Sequence, residues 1–271
     1  MGIWLKKLET LMEFQHMADL ERRVWGMDPL PYHQTLTAAK NGGIVIGAFD
    51  QDQLVGFVYS FPGYANREAY LCSHMMGIDP GYRNQGIGYR LKMKQAEEAQ
   101  KMGYKRIRWT YDPLESRNGY LNIAKLGAIC SDYIENCYGE MNDELNKALP
   151  SDRFNVEWWI DHPHALQRKD KLSVQADGLL LDWSLRSDGL PQAICKEVDS
   201  NPSTILFVPV PEGFQQLKQR DSDLAIEWRL KTRKVFRQHF AEGWAVAHVL
   251  RQPEEPVQYY VLVKRESLAL E

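Results

Sequence analysis

The sequence is short of cysteine, of net charge and of long apolar runs, and each shortage excludes a class of protein. Four cysteines occur among 271 residues, and no two form a C-x-x-C pair, so we expect neither a metal site nor disulfides. Reduced, mostly buried thiols are predicted instead. A formal net charge of -3 and a pI near 6.2 disfavour a nucleic-acid partner.

Membrane insertion is also not expected. No stretch approaches the roughly 20 apolar residues that span a bilayer, and the first residues carry no signal-peptide pattern. We therefore expect no membrane partner and a cytoplasmic location. The composition, 44% hydrophobic and 25% charged, is that of an ordinary globular protein with enough apolar side chains for a substantial core.

Hydrophobic periodicity predicts an α/β arrangement in the first half of the chain. Two β-branched strands at 44–49 and 54–59 precede a third strand at about 69–78. An amphipathic helix at 86–102 and a strand at 105–110 follow. A strand, a helix and a strand around a glycine-rich turn imply a parallel pair joined by a right-handed crossover.

The character of the chain changes after residue 149. The pattern predicts a strand at 153–160, a helix at 221–240, and a closing hairpin formed by 244–250 and 257–263. We therefore predict two domains, 1–148 and 149–271. The second is an α+β extension with a role in the substrate pocket or in a possible homodimer.

The most informative segment runs from Ile78 to Tyr89, where a strand leads through a loop into a helix. The first N–H groups of a helix lack internal partners and favour an anion. Gly86 and Gly88 let the backbone approach a bulky ligand closely. Arg83 adds a guanidinium that can donate two hydrogen bonds to phosphate oxygens. The segment lacks the third glycine of a dinucleotide-binding turn and the lysine of a P-loop.

The pattern Arg83-x-x-Gly86-x-Gly88 instead resembles motif A of the GNAT acyltransferase superfamily, and the chain's order of elements over about 1–148 is similar to that fold. The resemblance implies a mixed, mostly antiparallel sheet with a splayed parallel pair and flanking helices. It also implies that acetyl-CoA or another acyl-CoA binds there, succinyl-CoA included. The implied contacts are Met76, Gly77, Ile78, Arg83, Asn84, Gln85, Gly86, Ile87, Gly88, Tyr89 and Asn118.

A closer resemblance is to a bacterial subfamily of predicted GNAT enzymes with a C-terminal extension. The residues that carry it include 73–75, 109–114, 125–128, 138–139 and 151–153. It implies N-acylation of a small-molecule amine such as an amino acid, by direct attack in a ternary complex. A non-catalytic acyl-CoA-binding module and a protein acyltransferase remain alternatives.

The chain departs from the family at motif B. Many members place a tyrosine four residues before the motif's glycine, Gly127 here, to protonate the departing thiolate. This sequence has Ile123 there. Either another group protonates the sulfur or none needs to, because thiolate is a tolerable leaving group. The tyrosines considered as substitutes are Tyr111, Tyr120, Tyr133 and Tyr138.

His74 is the candidate general base, since an imidazole titrates near neutrality. Alternation along the strand places His74 and Met76 on one face and Ser73 and Met75 on the other, and Ser73 is kept as a second catalytic candidate. Tyr138 is the third.

Each of four further polar residues is interpreted either as a contact with substrate or coenzyme or as a purely structural residue. Asp112 contacts substrate or starts a turn, and Arg153 pairs with a substrate carboxylate or with a protein acid. Asn118 and Asn122 project to one side of a short helix, unless Asn118 caps it. The basic residues at 229–237 are expected to form a solvated face.

Overall fold

The computed structural model describes residues 2–139, 149–162, 172–196 and 203–270. The chain divides into two compact units. The first unit contains residues 1–109 and 159–161, and the second contains 110–158 and 162–271. This division follows spatial contacts. The functional boundary expected at 148/149 borders a segment outside the described residues and stays a prediction.

The first unit contains a sheet in the order β1-β2-β3-β4-β5. Neighbouring strands are antiparallel except for β4 and β5, which are parallel. This arrangement confirms the predicted mixed, mostly antiparallel sheet with one parallel pair. The strands are β1 Trp4–Lys7, β2 Ile44–Asp50, β3 Gln53–Ala65, β4 Glu68–Ile78 and β5 Arg106–Tyr111, whose last two residues belong to the second unit.

Three helices accompany these strands: α1 Leu11–Trp25, α2 Tyr32–Lys40 and α3 Ile87–Lys101. Thr10 and Glu13 begin α1 with a reciprocal capping box, and Gly26 ends it in the left-handed conformation. The apolar face of α1 packs against β2 and β3 in a buried core. The buried members of this core are Leu8, Phe14, Met17, Leu20, Val45, Phe49, Leu54, Phe57 and Tyr59.

The second unit begins with a short helix, α4 Ser116–Gly119, that continues into a π-helical turn at Tyr120–Lys125. Its sheet has the order β7-β6-β11-β12-β10, and β8 and β9 pair separately. The antiparallel pairing of β11 with β12 confirms the predicted closing hairpin. The remaining elements are β6 Ile129–Ile134, β7 Arg153–Trp159, β8 Leu181–Leu185, β9 Pro191–Cys195, β10 Leu206–Pro211, α5 Phe214–Arg220, α6 Ser222–Ala241, β11 Trp244–Arg251 and β12 Val257–Lys264.

The prediction of a solvated basic face on α6 is wrong for two of its arginines. Arg229 is only 1% exposed and forms an ion pair with Asp112. Arg233 donates two hydrogen bonds to the buried carboxylate of Asp152, at 2.8 and 2.9 Å. The residue spacing of this helix could not predict these ion pairs, because Asp112 and Asp152 lie far away in the sequence. Arg237, by contrast, is exposed as predicted.

The cysteines are free, but their burial differs from the prediction. Only Cys130 is buried, Cys72 and Cys137 are half-buried, and Cys195 is exposed. Within the described ranges, no helix has the length and apolar character needed to cross a membrane.

Candidate active site

The loop between β4 and α3 presents an open helix N-terminus. Residues 83–86 are exposed, and Gly86 occupies the N-cap of α3 at φ +74° without a side-chain cap. Asn84 also has a positive φ, +63°. Left-handed residues in such a loop turn successive N–H groups toward one concavity that suits an anion. Arg83, whose Nε lies 3.4 Å from the carbonyl oxygen of Ile78, adds a cation beside it.

Gly86 and Gly88 have different surroundings. A Cβ on Gly86 would meet nothing within 4 Å, so the residue is required for its positive φ. A Cβ on Gly88 would touch Ile78 and Met76 at 3.4 Å, so this glycine faces β4. A Cβ at Gly88 would therefore lie between the helix and β4 and not in the concavity of the loop. The other predicted loop residues comprise exposed Gln85, buried Ile87 and half-buried Tyr89.

The parallel pair separates toward this loop. Pairing between β4 and β5 joins Leu71 to Ile107 and Cys72 to Arg108, and β4 then continues to Ile78 without a further pair among the described residues. Along the same length β4 stays paired with β3 on its other side. Backbone groups of β4 that point toward β5 are therefore left for another partner. Such an edge fits the amides of a pantetheine arm, which need backbone donors and acceptors.

A β-bulge places His74 differently from the prediction. Ser60 of β3 pairs with Ser73 and Tyr59 pairs with Met75, so His74 is the extra residue of β4. Ser73 and Met76 both face α3. The prediction that His74 and Met76 share a face is therefore wrong, because the bulge interrupts the alternation of side chains.

The bulge turns His74 into a pocket of about 730 Å³. Its ring centroid lies 6.1 Å from that of Tyr59 and 5.7 Å from that of Phe61. Burial of the ring lowers the pKa of His74, although part of its surface is exposed. His74 has no hydrogen bond to any residue in the described parts of the chain, so its nitrogens are available. The pocket is lined by Leu30, His33, Gln34, Thr37, Ala38, Asn41, Tyr59, Phe61, Pro62 and His74.

Ser73 points away from this pocket. Its Oγ accepts hydrogen bonds from Lys92 Nζ at 2.8 Å and from Gln95 Nε2 at 3.1 Å, both on α3. Burial lowers the pKa of Lys92 to about 7. Lys92 is not among the predicted site residues. The signal was its place on the apolar face of α3, one residue after Leu91 and among the buried positions of that helix.

The remaining catalytic and substrate candidates lie in the second unit. Tyr138 is half exposed, its hydroxyl shares a hydrogen bond of 2.8 Å with Thr110 Oγ1, and the guanidinium of Arg153 lies over its ring. Asp112 accepts a hydrogen bond from Leu114 N at 2.8 Å, which is the turn contact considered as the alternative. Asp112 also pairs with Arg229 and lies 3.9 Å from Arg153, so its carboxylate is engaged within the protein.

The two asparagines do not share a side. Asn118 is exposed and Asn122 is buried, because the π-helical turn that starts at Tyr120 changes the residue spacing around the helix. Asn118 does not cap the helix either, since the N-cap is Glu115. Their contacts with coenzyme A and substrate stay predictions.

The tyrosines considered as proton donors differ in availability. Tyr111 shares a buried hydrogen bond with Tyr260, and Tyr133 donates to Asp152 at 2.6 Å. Burial raises the pKa of both phenols, which makes them weaker acids. Tyr120 lies under the guanidinium of Arg251.

An open helix N-terminus, a parallel pair that separates beside it and a pocket against the same strand lie together along β4 of an α/β unit. A model of the acetyltransferase (GNAT) family matches residues 9–120. The match covers 112 of the 271 residues, and this part of the chain is similar to that family. Comparison with curated proteins gave no significant match.

Solved structures with a similar fold include three acetyltransferases. The ribosomal-protein-S18-alanine N-acetyltransferase from Escherichia coli is 16% identical, with a TM-score of 0.48 over 64% of this chain and 100% of that one. A GNAT-family acetyltransferase from Streptococcus pneumoniae is 15% identical, with a TM-score of 0.47 over 58% and 98%. Aminoglycoside 6'-acetyltransferase type Ii is 20% identical, with a TM-score of 0.47 over 58% and 97%. None of these similarities decides the acceptor of this chain.

Proposed function

We propose that this protein transfers an acetyl or succinyl group from coenzyme A to the primary amine of a small molecule, such as an amino acid, by direct attack in a ternary complex. The observation that carries the proposal is the position of His74. Its unengaged imidazole faces a pocket from β4, and the same strand leads into the open N-terminus of α3.

The loop at 83–88 is proposed to hold the diphosphate of the coenzyme. Free N–H groups at the start of α3 and the guanidinium of Arg83 supply donors and positive charge. The arm of the coenzyme then follows β4, where the backbone groups of Met76 and Ile78 face the gap that opens toward β5. A backbone N–H near Met76 polarises the thioester carbonyl.

His74 is proposed to remove the proton from the acceptor amine, directly or through water. An imidazole with a lowered pKa is unprotonated at neutral pH and can accept a proton there. The aromatic neighbours Tyr59 and Phe61 fix the ring without occupying its nitrogens.

The pocket favours a small acceptor over a protein. Its volume of about 730 Å³ lies within the range of small-molecule sites. The lining contains no acidic side chain, so a polycationic acceptor would find no opposite charge there. An amine without further positive charge fits best.

Thiol release from acetyl-CoA and succinyl-CoA with a panel of amines, combined with mass spectrometry of the products, tests the proposal. Histidine-to-glutamine substitution at His74 should lower kcat about 10²-fold at pH 7, and less at high pH where the amine loses its proton unaided. The control is the same substitution at His16, which is exposed on α1. Binding of the coenzyme without thiol release for any amine would contradict an enzymatic function and indicate a non-catalytic acyl-CoA-binding module. Acylation of polypeptides alone would make it a protein acyltransferase.

A further inference from the structure

Lys92 is a buried lysine without a carboxylate partner among the described residues. It is 2% exposed, and its Nζ donates to Ser73 Oγ at 2.8 Å and to Gln95 Oε1 at 3.4 Å. The Nζ also lies 3.7 Å from the centre of the Trp109 ring. Burying an ammonium group with neutral partners costs stability, so the position calls for a reason beyond packing.

The position of Lys92 coincides with the point where the parallel pair separates. Cys72 and Arg108 form the last pair between β4 and β5. Ser73 and Trp109 are the next residue on each strand, and both contact Lys92 Nζ. The lysine therefore lies at the closed end of the gap, whereas the loop at 83–88 follows its open end.

We propose that Ser73 and Lys92 act as a pair that delivers a proton to the departing thiolate of coenzyme A. This inference rests on the proposed acyl transfer. A coenzyme whose diphosphate lies at the open end of the gap directs its thioester toward the closed end. The roughly 17 Å of strand between Ile78 and Ser73 suits an extended arm.

The proton movement is balanced within this pair. When the bond between the acyl carbon and sulfur breaks, its electron pair stays on sulfur. The Ser73 hydroxyl gives its proton to that sulfur, and the Lys92 ammonium gives one of its protons to Ser73 Oγ. Lys92 becomes a neutral amine and recovers a proton from solvent before the next turnover. Ser73 touches the leaving group and is the catalytic residue, and Lys92 acts through it.

The hydrogen-bond geometry suits this delivery. Lys92 and Gln95 both donate to Ser73 Oγ, so the Ser73 hydroxyl proton points away from both of them. The titratable group that interacts with Lys92 is Cys72, and Arg108 in turn interacts with Cys72. Burial raises the pKa of the Cys72 thiol, which keeps it neutral, and lowers the pKa of Lys92 to about 7. An acid of this strength is well matched to a thiol leaving group near neutral pH.

The pair offers a proton donor in a chain whose motif B has no tyrosine at the family's position. The position that carries the family's tyrosine is the buried Ile123. Tyr111 and Tyr133 hold their hydroxyl groups in other hydrogen bonds and have raised pKa values. Ser73 and Lys92 supply a proton without a tyrosine.

The first test is a titration of the thiol of bound coenzyme A, followed by the ultraviolet absorbance of the thiolate as a difference from the free protein. Lys92 loses its proton near pH 7, before the thiol does, so the test places a residue there that stays charged. In Lys92→Arg the bound thiol should have a pKa about one unit lower than in the wild type, because a positive charge beside the thiolate favours it. Lys94→Arg is the matched control, because Lys94 lies on the same helix and pairs with Glu97 on the surface. Equal values in all three proteins would overturn the proposal. This titration needs no turnover, so it remains decisive even if no acceptor amine is found.

The second test is a double-mutant cycle on thiol release. Ser73→Ala and Lys92→Met should each lower kcat about 10²-fold, and the double variant should lose no more than either one, because the two residues act in series. The dissociation constant of coenzyme A should stay within about twofold in all variants. Losses that multiply, or a weakened coenzyme affinity that accounts for them, would assign the pair a structural role. If Lys92→Met does not fold, the pH dependence of kcat in Ser73→Ala decides. The fall of kcat with rising pH, expected as Lys92 loses its proton, should be smaller in Ser73→Ala than in the wild type.

Discussion

The imidazole of His74 lies with its ring centroid 5.7 Å from that of Phe61, on the extra residue of the β4 bulge. Partial burial of the ring lowers the pKa of His74, although part of the side chain stays exposed. The contact with Phe61 therefore orients the proposed base and contributes to the lowered pKa.

Removing this contact should restore an ordinary pKa. In Phe61→Ala the pKa of His74 should rise toward about 6.5, because water gains access to the charged form. An NMR titration of the histidine ring protons, with the His74→Gln variant to assign the signal, measures it. Tyr64→Ala is the control, since Tyr64 is an exposed aromatic residue on the same strand. An unchanged value in Phe61→Ala would show that the ring does not set the pKa.

Gly86→Ala should weaken coenzyme binding and destabilise the fold. A Cβ at φ +74° costs about 1 to 2 kcal/mol, and relief of that strain would turn the loop's N–H groups away from the anion. Gly26→Ala places the same strain at the end of α1, where φ is +66°. Both variants should lose similar stability in chemical denaturation. Only Gly86→Ala should raise the dissociation constant of coenzyme A, by calorimetry. Equal affinities in the two variants would contradict the loop assignment.

Lys92 should make stability depend on pH. Its pKa is about 7 in the folded protein and about 10.4 in the unfolded chain, so between these values the unfolded state binds more protons. The free energy of unfolding should therefore rise with pH from 7 toward 10, by at most about 1.4 kcal/mol per pH unit, and be unaffected below pH 7. Denaturation of the wild type and Lys92→Met at several pH values isolates this effect. Parallel curves would indicate an ordinary lysine pKa.

Asp112 should be essential to stability because of its buried partner. Asp112→Ala removes the carboxylate that forms an ion pair with the buried guanidinium of Arg229, which costs about 3 to 5 kcal/mol. Asp19→Ala, which breaks an exposed pair with Arg22, should cost less than about 1 kcal/mol. Chemical denaturation compares them. The double variant Asp112→Asn with Arg229→Met should be more stable than Asp112→Ala. If it is not, the cost of Asp112→Ala does not come from the uncompensated charge.

The order of elements around α3 could be predicted from sequence because it depends on local signals. Gly86 and the apolar spacing after it mark a strand, a turn and a helix without any knowledge of distant residues. The bulge at His74 could not be predicted, since it depends on the pairing of Ser60 with Ser73 and Tyr59 with Met75 across two strands. Simple alternation along β4 therefore places His74 and Met76 on the same face, which is wrong.

The burial of charged residues escaped prediction for a related reason. The partners of Lys92 and Arg229 are Ser73 and Asp112, which are distant in sequence. Each of the two basic residues directly follows a buried apolar residue, Leu91 or Trp228, on its helix. That position was the local sign of burial, but it does not identify the partner.

A crystal structure with acetyl-CoA bound tests the central claim most directly. The account predicts diphosphate oxygens about 3 Å from the first backbone nitrogens of α3, with the arm between β4 and β5 and the thioester beside Ser73 and His74. Electron density for the coenzyme elsewhere on the protein, with the loop at 83–88 unoccupied, would contradict it.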